Sequence, residues 1–367
     1  MNARPQSSTT ASMVFEHDAL AQRVLFGAGQ AADYLGAEVR RLGAEAVMVI
    51  ATPTEHELAQ KICAGINPVV LFDDIAPHVP VDKAERARVV AAGHRVDLLV
   101  SIGGGSTTGL AKAVALTSGL PIIAIPTTYA GSEATNVWGM TEAARKTTGV
   151  DARVLPTTVI YDATAMLSLP GALAVASGLN AIAHGVDAMW APRTDPINRA
   201  LAGEAISALA RGIRAITADP SDLAGHEHSL YGAYLSATAF ASAGSGIHHK
   251  ICHVLGGAYD LPHAQTHAIV LPHVLAFNAS SAPEAAQRIA AALDSDDAVR
   301  GLESLRRDVD APIALREIGL AEANLVEAVE LIMPVIPPSN PRPVTEEALY
   351  TLLRNAWSGE DAEHTRM

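Results

Sequence analysis

The sequence is poor in cysteine, in basic residues and in long apolar runs, and each shortage excludes a class of protein. Two cysteines in 367 residues predict no disulfide framework and fit a reducing cytoplasm. The 26 Lys and Arg residues are outnumbered by 39 Asp and Glu residues, and the net charge of −13 argues against nucleic acid or an anionic membrane as a partner. No apolar run approaches the roughly 20 residues that a membrane span needs.

What the sequence does contain predicts a compact, two-domain protein. Hydrophobic residues make up 49% and charged residues 18%, with a mean hydropathy of +0.20, which is the balance of a well-buried globule. The length exceeds that of one ordinary core, so two domains are expected. The first residues lack the apolar core of a signal peptide, and 1–12 are predicted to be a disordered leader.

Two patterns divide the rest of the chain. The first 160 or so residues alternate short β-branched runs with Ala-rich helical stretches, which is typical of a doubly wound parallel sheet. From about 171 onward the pattern is helical almost to the end. We therefore predict an α/β, Rossmann-like dinucleotide-binding domain at 13–165 and an all-α substrate and catalytic domain at 166–367. Strands are predicted at 23–29, 46–52, 68–74, 96–106, 120–128 and within 153–170.

A glycine-rich turn follows the predicted strand at 96–106. Gly103, Gly104 and Gly105 let the backbone approach a pyrophosphate, and the helix that starts near Ser106 presents free N–H groups and a positive dipole. A tight turn without a ligand is the alternative. Three consecutive glycines after a buried strand favour phosphate binding, although the motif alone does not choose between a mononucleotide and a dinucleotide.

A second polar loop follows the next strand, in "IPTTYAGSEAT". Thr127, Thr128 and Ser132 supply hydroxyls at the carboxyl end of a parallel strand, where ligands of such sheets bind. Alone this is a polar loop, but beside the glycine turn it is the expected second wall of a cofactor cleft.

The sequence does not decide between NADH and NADPH as the cofactor. Thr52 ends the second strand, where an acid would hold the ribose 2′-OH of NAD, so both cofactors stay open. Asp73 and Asp74 end the following strand and could favour NAD, but a solvated turn is the preferred interpretation.

Histidines are concentrated in one segment. Residues 245–273 hold six of the 14 histidines, where roughly one is expected from the composition. His249 and His253 lie four apart, on one face of a helix, and His263 begins or precedes another helix. His184 and Asn180 lie four apart in a third, apolar helix. His248, His267 and His273 are interpreted as core residues.

Four motifs of the sequence resemble those of a known family. "GGGSTTGLAKA", "IPTTYAGSEAT", "SGLNAIAHGVDA" and "HKICHVLGGAYDLPHAQTHAIVLPHV" occur in the order and approximate spacing of the iron-containing (group III) alcohol dehydrogenases. The resemblance runs from Arg23 to about Pro343. It implies a dehydroquinate synthase-like architecture, with a nucleotide domain and a helical domain around a deep cleft, and a homodimer.

The resemblance also implies a metal site, which this sequence alters. The family's usual ligands are an Asp, a His four residues later and two further His, and these positions are Asn180, His184, His249 and His263 here. His253 matches a further active-site histidine that is not normally a ligand. An amide is a weaker ligand than a carboxylate, so no metal is expected. If one is bound, Fe or Zn at the three histidines is expected.

A second departure lies in the glycine-loop motif. Gly109 stands where the family has an acid, while Lys112, a cofactor-side residue, is retained. Both departures are similar to a branch of the family that reduces a carbon–carbon double bond conjugated to a ketone, and that is regarded as not needing a metal. The expected cofactor is NADH or NADPH, and the expected partner is a small anionic substrate.

The chemistry of such a reduction agrees with an amide at position 180. Charge develops on the ketone oxygen as an enolate, and fixed donors stabilise it as in an oxyanion hole. The predicted donors are Asn180, His184, His249 and His263. His253 is the predicted general acid. Lys250 either attracts a carboxylate or faces solvent, and Asp187 either orients His184 or bonds within its own helix.

Three other functions compete with this one. The first is a metal-dependent alcohol or aldehyde oxidoreductase in which Asn180 still ligates. The second is a non-redox cyclase or lyase that uses NAD internally, which would need an acidic metal ligand that the segment around His184 lacks. The third is a non-catalytic nucleotide-binding protein, which the histidine cluster disfavours.

Overall fold

The structure is a computed structural model that describes residues 13–142 and 145–366. The predicted leader at 1–12 lies outside the described residues. The strands within the described ranges are β1 Arg23–Phe26, β2 Val47–Ile50, β3 Val70–Phe72, β4 Leu98–Gly103, β5 Ile122–Pro126, β6 Val137–Glu142, β7 Arg145–Val150 and β8 Thr158–Tyr161. The helices that alternate with them are α1 Ala31–Leu42, α2 His56–Ile62, α3 Val81–Gly93 and α4 Gly105–Ser118.

Six of these strands form one parallel sheet in the order β1-β8-β5-β4-β2-β3. The inner strands β2, β4, β5 and β8 are buried along their whole length, as continuous apolar runs between two helical layers should be. The strand after β2 is added on one side of the sheet, and the strand after β4 is added on the other side. The carboxyl ends of β2 and β4 therefore form the switch point at which such sheets bind ligands. The predicted doubly wound sheet is confirmed.

An antiparallel hairpin of β6 and β7 was not predicted. It leaves the sheet after the second polar loop and pairs six residues of each strand. The residues of β6 are at most partly buried, so the sequence carries neither a long apolar run nor a clean alternation there. Gly149 is needed because a Cβ atom at this position would lie 2.7 Å from the indole ring of Trp138.

The second half of the chain is helical, as predicted. Asp195, Asp222 and Asp297 cap three of its helices by accepting backbone N–H bonds. The helices are α5 Gly171–Ala188, α6 Pro196–Ala218, α7 Leu223–Ala243, α8 Ile247–Tyr259, α9 His263–Ala279, α10 Pro283–Ala292, α11 Ala298–Asp308, α12 Leu325–Ile332 and α13 Glu346–Ser358.

Helix α5 is the centre of this half and is buried from Ala174 to Ala188. It packs against α6, α7 and α9. A fully buried helix normally carries apolar side chains, so the polar side chains of Asn180, His184 and Asp187 need a reason to be there. Among the described residues, no helix is both long and apolar enough to cross a membrane.

Candidate active site

One cavity of about 580 Å³ lies between the carboxyl edge of the sheet and the helical half. Its first wall comes from the start of α4, the loop after β5 and the β6–β7 hairpin. Its second wall comes from α5, α7, α8 and the start of α9. We call these the α/β wall and the helical wall.

The glycine turn shapes the α/β wall. Gly103 has φ +152°, and a Cβ atom there would lie 2.5 Å from Thr107 Oγ1, so the turn requires glycine. Gly104, the N-terminal cap of α4, makes no side-chain cap bond, and Gly105 and Ser106 line the cavity. The uncapped N–H groups of α4 fit a pyrophosphate.

The predicted hydroxyls divide into two groups. Thr128 and Ser132 line the cavity beside the glycine turn. Thr127 Oγ1 donates to Glu55 Oε1 at 2.7 Å, and Thr52 Oγ1 donates to Glu55 Oε2 at 2.6 Å. The carboxylate of Glu55, which sequence reasoning missed, therefore ties the ends of β2 and β5 together beneath the turn.

Lys112 joins α4 to the second polar loop. Its side chain is fully buried, and Nζ donates to the carbonyl oxygens of Ser132, Thr135 and Val137 at 2.5 to 2.8 Å. Burial lowers the pKa of this amine to about 7, with Glu133 acting in the opposite direction. Lys112 lines the cavity, but its bonds hold the second loop against α4.

The helical wall presents buried polar atoms to the cavity. Asn180, His184 and His249 line it and expose only 2%, 8% and 2% of their surfaces. Asn180 Oδ1, His184 Nδ1 and His249 Nε2 have no hydrogen-bond partner within the described structure. Buried polar atoms of this kind call for a ligand or water.

The two walls meet at Gly131 and His184. Gly131 has φ +73°, and a Cβ atom there would lie 3.4 Å from His184 Cε1 and 2.8 Å from Ala237. The ring of His184 stacks on that of His249, with centroids 4.7 Å apart, and both rings contact Phe240. The second loop therefore reaches the imidazoles, as a cofactor wall beside a reaction site should.

Asp187 orients His249, which corrects both sequence-based interpretations of this residue. Its Oδ2 accepts from His249 Nδ1 at 2.8 Å and from the His249 backbone N–H at 3.1 Å. Its Oδ1 accepts from the His248 N–H at 3.4 Å. Asp187 thus caps α8, and Gly246 is required because a Cβ atom there would overlap the carboxylate.

The electrostatics of the helical wall favour neutral imidazoles. Burial, with neighbouring imidazoles second, lowers the pKa of His249 well below its ordinary value. Burial lowers the pKa of His184 to about 4, and burial raises the pKa of Asp187 to about 7 against the N–H groups of α8. When Asp187 is ionised, its contact with Nδ1 places the proton of neutral His249 on Nδ1, and Nε2 is then an acceptor. At positions 184 and 249 the predicted donors would therefore be neutral imidazoles, which donate only from the nitrogen that carries the proton.

The positions that the family resemblance implies as metal ligands do not form a compact group of donors. Within the described ranges, the donor atoms of His184, His249 and His263 are not gathered within 4.8 Å of one another, and position 180 offers a neutral amide. Three other donors do meet this distance, namely His248, Cys252 and His267, all fully buried. His248 Nε2 lies 2.9 Å from His267 Nδ1, so these two imidazoles already share a hydrogen bond.

The remaining predicted histidines lie farther along the cavity wall. His253 and His263 line it and also line a smaller chamber of about 330 Å³ beyond it. His78, which sequence reasoning missed, lines both spaces from the α/β side. His78 and Val79 have φ of 62° and 51°, and Val79 Cγ2 would lie 2.8 Å from a Cβ atom at Gly109. Gly109 thus lets this segment approach α4.

Other polar residues have local roles. Asp74 pairs with Lys83 and, at 2.7 Å, with Arg86. His273 is buried, with Nδ1 3.1 Å from Thr365 Oγ1. Lys250 is half-buried on α8 and lies outside the described lining of the cavity.

A parallel sheet with a glycine turn, facing a helical wall of amide and imidazole groups, defines a class that comparison with known families identifies. The iron-containing alcohol dehydrogenase model matches residues 21–163, and the model for the C-terminal part of the Fe-containing alcohol dehydrogenase family matches 174–357. The chain belongs to the iron-containing alcohol dehydrogenase family.

Particular relatives are similar over nearly the whole chain. The maleylacetate reductase of Pseudomonas sp. (strain P51) is 46% identical over 350 residues, covering 95% of this chain and 99% of that protein. A crystal structure of an iron-containing alcohol dehydrogenase from Corynebacterium glutamicum is 55% identical, with a TM-score of 0.94 over 96% of this chain and 99% of that one. The crystal structure of the maleylacetate reductase from Agrobacterium tumefaciens is 38% identical in sequence. Its TM-score is 0.90, and the match covers 95% of this chain and 100% of that one.

Proposed function

We propose that the protein reduces the carbon–carbon double bond of maleylacetate, or of a close 4-oxo-enedioate, to give 3-oxoadipate in the degradation of aromatic compounds. The observation that carries the proposal is Asn180, a buried neutral amide that lines the cavity at the position where the family resemblance implies a carboxylate. An aspartate at this position without a metal would repel a dianionic substrate, whereas an amide does not. The names of the relatives from Pseudomonas and Agrobacterium support the same substrate.

The helical wall suits the charge that develops in this reduction. When bound, NADH or NADPH supplies a hydride to the alkene carbon β to the ketone, so negative charge moves to the ketone oxygen. The Asn180 amide can donate to that oxygen through Nδ2, and its burial keeps the donor fixed and the local dielectric low. Asn180 is therefore assigned the role of the main enolate donor.

Protonation of the neighbouring carbon completes the reduction. We assign this proton to His253, which lines both the main cavity and the smaller chamber. His249 is a poorer donor because its single proton lies toward Asp187, 2.8 Å from Nδ1. His249 instead presents an acceptor to the cavity and holds the substrate or a water in place.

Four sequence-based expectations remain predictions beside this function. They are a choice between NADH and NADPH that Thr52 leaves open, a homodimer, a cytoplasmic location and a domain boundary at 165–166. The cofactor residues proposed on the α/β wall are Thr52, Gly103, Gly104, Gly105, Ser106, Lys112, Thr127, Thr128 and Ser132.

The test is oxidation of the reduced cofactor in the presence of maleylacetate. We expect purified protein to consume NADH or NADPH and maleylacetate one for one, with 3-oxoadipate identified by mass spectrometry. Simple alcohols with NAD⁺ serve as the comparison for the metal-dependent alternative, and we expect little turnover of them. If neither cofactor is consumed with maleylacetate, the proposed reaction is wrong.

A further inference from the structure

A second group of metal-ligating side chains lies behind the helical wall of the main cavity. Its members are His248 and Cys252, four residues apart on α8, and His267 on the neighbouring helix α9. One donor atom from each of the three side chains lies within 4.8 Å of the other two. None of the three belongs to the described lining of the main cavity, so the group is separate from the amide and imidazoles of the helical wall.

The spacing of these donors is close to that of a tetrahedral zinc site. His248 Nε2 lies 2.9 Å from His267 Nδ1 and 3.7 Å from Cys252 Sγ. Zinc bonds of about 2.0–2.1 Å to nitrogen and about 2.3 Å to sulfur separate the ligand atoms by roughly 3.3–3.6 Å in tetrahedral geometry. Shifts of about an ångström or less in each side chain therefore bring all three atoms to one ion.

The donor set is typical of a soft or borderline cation. A thiolate with two imidazoles suits Zn²⁺, whereas Mg²⁺ and Ca²⁺ prefer oxygen ligands. All three side chains are buried, so the charge of the ion must be balanced nearby. The Cys252 thiolate supplies one negative charge. Asp187, which accepts from the His248 backbone N–H at 3.4 Å, supplies a second when it is ionised.

The smaller chamber of about 330 Å³ gives this group a route to solvent. Cys252 lines the chamber, and so does Asp260, whose side chain is 96% exposed. Gly256 and Gly257, in the turn of α8 that follows Cys252, also line it and place no side chain in it. An ion can therefore enter beside an exposed carboxylate and reach the buried thiol, as a metal site requires.

We propose that His248, Cys252 and His267 form a zinc site that joins α8 to α9. Binding replaces the S–H bond of Cys252 with an S–Zn bond and releases one proton. His248 Nε2 and His267 Nδ1 both present lone pairs to the ion, so each ring keeps its one proton on its outer nitrogen. The hydrogen bond between the two rings is thereby exchanged for two bonds to zinc. The site takes no part in the reduction, because it contributes no atom to the described lining of the main cavity.

The test uses Co²⁺, which occupies zinc sites and reports its ligands by absorption. Full-length protein is chelated, dialysed and titrated with Co²⁺, and Zn²⁺ is then added in competition. We expect one Co²⁺ per chain with a thiolate-to-cobalt charge-transfer band in the near ultraviolet, and we expect Zn²⁺ to abolish that band. A site with only nitrogen and oxygen ligands, such as the positions implied by the family resemblance, gives no thiolate band.

The chain offers a matched control, because its two cysteines are Cys63 and Cys252. Cys63 is buried in the α/β half, and Cys63→Ser should keep the band and leave the Zn²⁺ Kd within about twofold. Cys252→Ser should remove the band and raise the Zn²⁺ Kd at least about 100-fold, because a hydroxyl replaces a thiolate ligand. His184→Ala, which alters a position implied by the resemblance, should keep the band.

The outcomes separate this site from the reaction. No thiolate band at saturating Co²⁺, or a band that Cys252→Ser retains, overturns the site. If Cys252→Ser does not fold, X-ray absorption at the zinc edge of the wild type decides. One sulfur at about 2.3 Å beside nitrogens at about 2.0–2.1 Å supports the site, and a ligand shell without sulfur overturns it. Neither result bears on maleylacetate reduction, which the assay with reduced cofactor tests separately.

Discussion

The two walls of the main cavity present different chemical groups. The α/β wall offers backbone N–H groups and hydroxyls, held by the glycine turn and by the bonds of Lys112 to the second loop. The helical wall offers an amide and imidazoles from α5, α8 and α9. A wall of backbone groups keeps its chemistry when most side chains change, whereas a wall of side chains changes its chemistry with one substitution. In this protein, a single substitution such as one at Asn180 should therefore alter the helical wall more than most single substitutions alter the α/β wall.

The largest expected effect comes from returning a carboxylate to the helical wall. Asn180→Asp should lower kcat/KM for maleylacetate by roughly 100-fold, because it removes an enolate donor and places an acid against an anionic substrate. The variant should also either take up Fe or Zn or bind the substrate more weakly. Steady-state kinetics with metal analysis by mass spectrometry measures both effects.

Asn180→Ala is the matched control for that substitution. It removes the donor without adding charge, so its loss should be smaller than that of Asn180→Asp if repulsion contributes. Retention of wild-type kinetics by Asn180→Asp, with no metal bound, would show that position 180 does not set the chemistry of this wall.

A smaller effect is expected from the α/β wall, where the backbone does the binding. Gly103→Ala forces a Cβ atom to within 2.5 Å of Thr107 Oγ1 at a φ that favours glycine. We expect the free energy of unfolding to fall by about 1–3 kcal/mol and the Kd for NADH to rise by roughly tenfold. Chemical denaturation and nicotinamide fluorescence measure the two quantities.

Gly119→Ala separates strain from cofactor binding in the same helix. Gly119 follows the other end of α4 with φ +69° and has open space where a Cβ atom would be. It should lose comparable stability while keeping the wild-type Kd for NADH. Equal loss of NADH binding in both variants would contradict a local role for the glycine turn.

The same contrast explains what could be predicted from the sequence. The sheet and the glycine turn follow from local signals, namely apolar runs of strand length and three consecutive glycines. Asn180 and His184 were found because four-residue spacing places them on one face of a helix. These features need only short-range geometry.

What could not be predicted depends on contacts between distant segments. The carboxylate of Asp187 meets His249 across 62 residues, and nothing in either local sequence indicates the pair. Glu55 joins Thr52 to Thr127 in the same way, and His78 reaches the cavity only because Gly109 leaves room for Val79.

The measurement that tests the central claim most directly is the activity of metal-depleted protein. The claim is that the helical wall stabilises the enolate with neutral donors and needs no metal. After chelation and dialysis, with metal at or below about a tenth of an atom per chain, maleylacetate reduction should stay within about twofold of the untreated rate. Loss of activity by orders of magnitude, restored by Fe²⁺ or Zn²⁺, would contradict the claim and return the helical wall to a metal site.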